Sequence, residues 1–153
     1  RVNVASIFGA KEGDFFIHRN IANIIPPYKS TKTDNSTFAA IEYAVKELKV
    51  PYFIVLGHTN CGGIKSGHSQ HVKGQNKKYK FINSWLANLG TAFKNTPKKL
   101  SIKNQINFLE EENVRVSILN LLEFPIVKKM VKNNKISIYG LIYNISSGEL
   151  KSL

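Results

Sequence analysis

An α/β fold, with a mostly parallel central sheet flanked by helices, is what three features of this 153-residue chain predict. The first is "PYFIVLG" at 51–57, a continuous apolar run with β-branched residues in its middle. Such a run suits a strand buried on both faces, the environment of a parallel sheet. The second is helical periodicity on either side of it. Phe38, Ile41, Val45 and Leu48 recur at three- and four-residue steps before the run, and Ile106, Leu109, Ile118, Leu119 and Leu122 mark a longer helix after it. The third is "KISIYGLIY" near the end, another strand-like run. Strands separated by helices point to an α/β architecture.

The elements follow in order. "DFFI" at 14–17, after the turn signal "KEGD", predicts a short strand with His18 at its end. "IPPYKSTKTDNS" at 25–36 is a loop, and its Ser36 is a good N-cap for a helix over 37–49. The buried strand at 51–57 comes next, then a polar, mobile loop over 66–80. A helix around Trp85 follows, then a second polar stretch through Pro97. A long helix runs from Ser101 to about Glu123; Pro125 breaks it, and "IVKKMVK" resumes as a short helix. The last strand, an "SSG" turn and a return segment close the chain. Without internal repeats or a long low-complexity tract, one domain over 1–153 is expected.

With 42% hydrophobic and 21% charged residues, the composition is that of a globular protein. No run of 18 apolar residues is present, so neither a transmembrane helix nor a membrane partner is expected. The single cysteine excludes an internal disulfide and suits a reducing compartment, so a cytoplasmic location is expected. The chain opens on Arg1 rather than methionine, so it is expected to begin inside a longer protein, and a targeting segment further upstream stays open. A net charge of +12 invites a nucleic-acid reading. Against it, the lysines are dispersed over several polar stretches, and arginine occurs only at Arg1, Arg19 and Arg115. No nucleic-acid partner is expected.

The chemistry concentrates in "LGHTNCGG" at 56–63, where His58 and Cys61 follow the buried strand. Imidazole and thiolate are preferred zinc ligands, and zinc takes four donors. Open α/β sheets bind ligands at the carboxyl ends of strands, where this pair lies. A helix starting at "CGG" would add positive potential from its free amides, lowering the thiol pKa and favouring an anion. By spacing alone, a packed cysteine and a histidine held by a backbone carbonyl fit equally. Adding His68 and His71 would give four donors in the manner of a small structural zinc knot. Solvated loop histidines are the other reading of those two.

Four stretches resemble the beta-class carbonic anhydrases. "RVNVASIFGAKEGDFFIHRNIANIIPPY" is similar to the segment that starts at the arginine of the C-x-D-x-R motif and runs into R-N-x-A-N. "AAIEYAVKELKV" resembles the helix before the metal strand, and "VLGHTNCGGIKSG" the H-x-x-C-G-G zinc loop. "NLLEFPIV" with "IYGLIYNISSGEL" resembles the closing helix and strand.

The resemblance implies reversible zinc-dependent hydration of carbon dioxide to bicarbonate and a proton, with one Zn2+ per subunit. It implies His58 and Cys61 as two metal ligands. A further cysteine and an aspartate are expected upstream of Arg1, so the domain is expected to be N-terminally incomplete. Arg1 matches the arginine that pairs with that aspartate and keeps it oriented and off the zinc. Phe16, Ile21 and Tyr43 match an apolar substrate pocket completed by a dimer partner, and Gly62 matches the glycine whose amide faces the substrate. Asn20 and Asn23 match a motif that shapes the pocket wall. Arg19 and Tyr143 match positions of a regulatory bicarbonate site found in some members, although "PPY" resembles a plant-type branch in which that regulation is not expected. A homodimer or dimer of dimers is implied. The alternatives are a catalytically silent, dimeric binding protein of this fold, or an apo or truncated form unable to hold zinc.

Overall fold

The computed structural model describes residues 2–30 and 35–153. Its helices are α1 (Val4–Phe8), α2 (Asn35–Lys46), α3 (Gly62–Lys73), α4 (Lys80–Leu86), α5 (Gly90–Asn95), α6 (Ile102–Leu122) and α7 (Pro125–Lys132). Its strands are β1 (Tyr52–His58), β2 (Ser137–Tyr143) and β3 (Leu150–Ser152). The sheet order is β1-β2-β3. β1 and β2 run parallel, in a register from Tyr52 opposite Ser137 to His58 opposite Tyr143. β3 returns antiparallel to β2 after the Gly148 turn, as "SSG" predicts.

Helix α6 is the hub. Ser101 caps it, its side chain accepting the Asn104 N–H at 3.3 Å. Leu109 and Val116 pack with Ile64, Leu86, Leu89 and Ala92 on one side. Val114 meets Val55 and Ile142 of the sheet. Leu121 joins Ile41, Val45, Phe124, Val127 and Ile136 near α2 and α7. The helix comes close to the sheet because β1 and β2 offer glycines there. A Cβ on Gly57 would lie 2.7 Å from Ile142 and 2.9 Å from Val114, and one on Gly140 would lie 2.7 Å from Ile118.

Several expectations change. Residues 14–17 form no strand; Phe15, Phe16 and Ile17 are exposed, and no strand among the described residues supplies the ladder partners that a strand requires. His18 therefore lies in a loop. The polar stretch at 66–80 is largely helical, because α3 continues to Lys73 with Ile64, Gly67 and His68 on its buried side. Gly67 has no room for a side chain: a Cβ there would fall 2.2 Å from Leu89. The second polar stretch contains α5, anchored by buried Ala92. Helix α2 starts at Asn35, so Ser36 is inside its first turn rather than capping it. Leu119 points outward at 62% exposure. Because α6 is packed on several sides, its buried positions do not form the single stripe that its apolar residues suggest.

Candidate functional site

His58 ends β1 and Cys61 stands as the N-cap residue of α3, so both occupy the carboxyl end of the parallel pair. The loop between them is tied to β2: the Thr59 N–H donates to the Tyr143 carbonyl at 3.0 Å, and the Ile145 N–H donates to Thr59 Oγ1 at 3.1 Å. Asn60 turns the chain with φ 56°, a left-handed conformation that asparagine tolerates better than most residues.

His58 Nδ1 lies 2.8 Å from the Thr59 carbonyl oxygen. A carbonyl only accepts, so Nδ1 carries the proton and Nε2 keeps its lone pair. Fixing the tautomer in this way is how metal-binding histidines are oriented. Cys61 is buried at 6% exposure and forms no disulfide. Its N–H donates to Glu110 Oε1 at 2.8 Å. Burial pushes the Glu110 carboxyl above the usual carboxylate range, opposed by the hydrogen bonds from Cys61 and Asn60 and by the nearby His58 and Lys65.

The imidazole Nε2 and the thiol suit zinc as donors, but they are two of the four that it takes. Among the described residues, no group of three or more His, Cys, Asp or Glu side chains gathers to hold a metal. His68 and His71 therefore do not complete a four-donor knot with His58 and Cys61. Nor is His68 a solvated loop residue: it is buried at 5% exposure and donates from Nε2 to Gln105 Oε1 at 2.8 Å. His71 donates from Nδ1 to the Gly67 carbonyl at 2.9 Å and stacks on Phe93. Both are framework residues of α3. His18 Nε2 pairs with Thr37 Oγ1 at 3.0 Å and joins its loop to α2.

The segment from Asn20 to Ile25 forms a wall beside this loop. Ile21 and Ala22 pack so closely on Gly63 that a Cβ there would lie 2.8 Å from Ile21. Ala22 and Asn23 both have positive φ, 64° and 45°. Seven hydrogen bonds hold the strained backbone; in one, the Ile25 N–H donates to Ser117 Oγ at 3.1 Å. Asn20 binds both the N–H and the carbonyl of Ile24, at 2.9 and 2.8 Å. Trp85 donates to the Ile21 carbonyl at 2.8 Å. From α6, Asn113 donates to Ala22, Ser117 to Asn23 and Asn120 to Ile25, at 2.7, 3.1 and 2.7 Å. Asn23 Nδ2 is buried with no partner among the described residues.

Phe16 and Tyr43 pack as a tilted pair with ring centroids 5.7 Å apart, both half-exposed. Gly62 faces open space. Arg19 is exposed and makes no hydrogen bond or ion pair with another described residue, while Tyr143 sits opposite His58 in the register. Arg1 lies outside the described residues. Ile21 also edges an open, largely apolar groove of about 330 Å³ formed with Phe81, Ile82, Ser84, Trp85 and Asn88.

A carbonic anhydrase family model matches residues 1–150, nearly the whole chain. The chain belongs to the beta-class carbonic anhydrase family. Similar proteins include beta carbonic anhydrase 3 of Arabidopsis thaliana, 38% identical across 97% of this chain and 58% of that protein. The carbonic anhydrase of Helicobacter pylori strain J99 is 32% identical across 94% of this chain and 67% of its own length. Among solved structures, the beta-carbonic anhydrase CcaA superposes with a TM-score of 0.89 at 27% identity, over 99% of this chain and 67% of that one. One of two tetrameric beta-carbonic anhydrases of Sordaria macrospora gives 0.84 at 30%, over 99% and 74%. The chain spans about half the length of some curated relatives, 48% in the case of the chloroplastic beta carbonic anhydrase 5 of Arabidopsis. Relatives include chloroplastic and mitochondrial forms, and no helix among the described residues is long and apolar enough to cross a membrane.

Within this family fold, the polar side of α6 is what sequence reasoning missed. Glu110, Asn113, Ser117 and Asn120 recur at steps of three, four and three, so they share one helix face. That periodicity was the available signal, but Glu110 opens a run of three glutamates that resembles a solvated surface.

Proposed function

We propose that this chain forms the body of a zinc-dependent enzyme that reversibly hydrates carbon dioxide to bicarbonate and a proton. The observation that carries this is the His58 tautomer: Nδ1–H is committed to the Thr59 carbonyl, which leaves Nε2 free as a donor three residues from a buried thiol. His58 and Cys61 would hold one Zn2+ per subunit, with further donors from outside the described residues. When bound, zinc makes water a strong nucleophile at neutral pH, because it lowers the pKa of water from about 15.7 to about 7.

The chain's own residues would do the rest. Carbon dioxide is small and uncharged, so it is held by apolar contact, which Ile21 and the Phe16–Tyr43 pair offer. The half-exposure of these rings suits a pocket completed by a second copy of the chain. Gly62, the first residue of α3, brings a backbone amide without a side chain, and the helix N-terminus favours the bicarbonate anion. Arg1 would orient an acidic partner beside the metal. Arg19 and Tyr143 remain candidates for a second bicarbonate site. A cytoplasmic location suits the unpaired Cys61.

Zinc per chain, measured by elemental analysis on the protein with its native N-terminus, together with a hydration assay, tests the proposal. Near one zinc and measurable turnover are expected. Zinc near zero under zinc-replete, reducing conditions would favour a silent relative. Changing His68 and His71 together to alanine should leave zinc bound. A fully active monomer would refute the shared pocket.

A further inference from the structure

Glu110 has no role in the readings above. It is 3% exposed, sits on α6 beneath the metal loop, and forms no ion pair among those of the described residues. Its Oε1 accepts the Cys61 N–H at 2.8 Å, and the Asn60 N–H reaches the same carboxylate.

We propose that Glu110 is a positioning residue for the metal centre: its carboxylate anchors the Asn60–Cys61 backbone, so that Cys61 and His58 converge before a metal arrives. The inference rests on the zinc reading of the site.

Three features support it. First, Asn60 is held with positive φ, a conformation that persists only where surrounding contacts enforce it. Second, Cys61 is the N-cap residue of α3 but makes no side-chain capping bond, which leaves its sulfur available. In a helix capped by serine or aspartate, the first turn is fixed by that residue's own side chain. Here the carboxylate from α6 grips the backbone instead. Third, burying a carboxylate with no direct ion pair is costly, and the hydrogen bonds from Cys61 and Asn60, with the charge of nearby His58 and Lys65, offset that cost. A position needed for packing alone would carry an apolar residue, as neighbouring Leu109 does. Hydrogen bonds to a carboxylate are also stronger than those to a neutral acceptor, which suits a loop that must stay in place.

The test uses the protein with its native N-terminus and three variants: Glu110→Ala, Glu110→Gln and Glu110→Asp. Thr96→Val, which removes a buried hydrogen bond on the α5 side, is the control for general destabilisation. Two quantities are read: zinc affinity by chelator competition, and amide hydrogen exchange at Asn60 and Cys61 in the metal-free protein. Glu110→Ala should weaken zinc binding about 10- to 100-fold, the range typical of groups that orient metal ligands, and speed exchange at both amides. Glu110→Gln keeps an acceptor at the same reach and should restore most of both, whereas Thr96→Val should change neither. Wild-type zinc affinity in Glu110→Ala, or an equal loss in Thr96→Val, would overturn the anchor. Should Glu110→Ala fail to fold, the order of the other two decides: glutamine close to wild type and the shorter aspartate weaker is expected, and the reverse overturns it. A wild-type protein that takes up no zinc would end the zinc reading. The exchange rates then still judge the anchor, with protected amides in wild type and unprotected ones in Glu110→Ala expected.

Discussion

The wall at 20–25 and the metal loop at 58–61 lie side by side, yet they are secured very differently. The wall has seven hydrogen bonds with side chains on three parts of the molecule: its own Asn20, Trp85 of α4 and the Asn113–Ser117–Asn120 face of α6. The metal loop is fastened at its start by Thr59 to β2 and its neighbours, and at its end by Glu110. A wall that excludes water and presents apolar groups gains from redundancy. On the proposed zinc reading, the loop offers two donors at one point and keeps those side chains out of the scaffold, so few groups remain to hold it. Damage to the wall should therefore cost stability, and damage to the loop should cost metal.

The largest effect expected is at the loop. His58→Ala or Cys61→Ser should bring bound zinc from near one per chain to near zero, while the metal-free proteins unfold at almost the wild-type denaturant concentration. Elemental analysis beside urea titration checks this, and a Cys61→Ser chain that retained its zinc would erase the contrast. Next comes Gly57, which both regions share. Its missing side chain leaves room for Ile142, Val114 and, 3.4 Å from where a Cβ would lie, Asn23 Oδ1. Gly57→Ala overpacks this junction and should cost about 1–3 kcal/mol. A shift in the urea midpoint with unchanged slope would measure it. Asn113→Ala touches only the wall. It leaves the buried Ala22 carbonyl without its donor, a loss toward the lower end of about 1–3 kcal/mol because six other bonds persist. Zinc binding in that variant should match wild type, and a zinc loss as large as that of Cys61→Ser would show that the two regions are not separable.

How far the sequence reveals these regions depends on what kind of signal each carries. β1, α6, the Pro125 break and the closing hairpin are legible because apolar periodicity and turn residues speak directly to local structure. His58 and Cys61 stand out because their chemistry is rare in this chain. Helix α3 hides because its inner face includes Gly67 and His68, letters that read as polar until Leu86 and Leu89 cover the glycine and Phe93 packs on the histidine. The strand expected at 14–17 fails for the opposite reason: its apolar letters are right, but a strand exists only with a neighbour to pair with. Glu110, Asn113, Ser117 and Asn120, which hold the loop and much of the wall, lie on α6 some 50 to 90 positions away in the chain, and only the folded helix brings them there.

Two adjacent carboxyls on α6 give the mildest test of the same contrast. Glu110 faces the loop and is buried; Glu111 faces outward and meets Lys151 at 2.7 Å and Arg115 at 3.1 Å. Partial burial tends to raise the Glu111 pKa, but the hydrogen bonds and charge of Lys151 and Arg115 outweigh it, so the carboxyl lies below its usual value near 4.5. A depressed carboxyl pKa stabilises the fold above the unfolded value, and that contribution fades as pH falls through the folded one. Glu111→Gln should therefore cost stability at neutral pH and converge on wild type in acid. Lys151 is largely exposed, so the difference should stay within about 1 kcal/mol and shrink in salt. Glu110 has the opposite sign: burial raises its pKa, so its ionisation costs stability at neutral pH and acid relieves that cost. Urea midpoints of wild type and the two glutamine variants between pH 3 and 7 would separate them. Curves for Glu110→Gln and Glu111→Gln that bend the same way would mean that neighbouring carboxyls share one environment, and the division of α6 into an anchoring face and a surface face would fail.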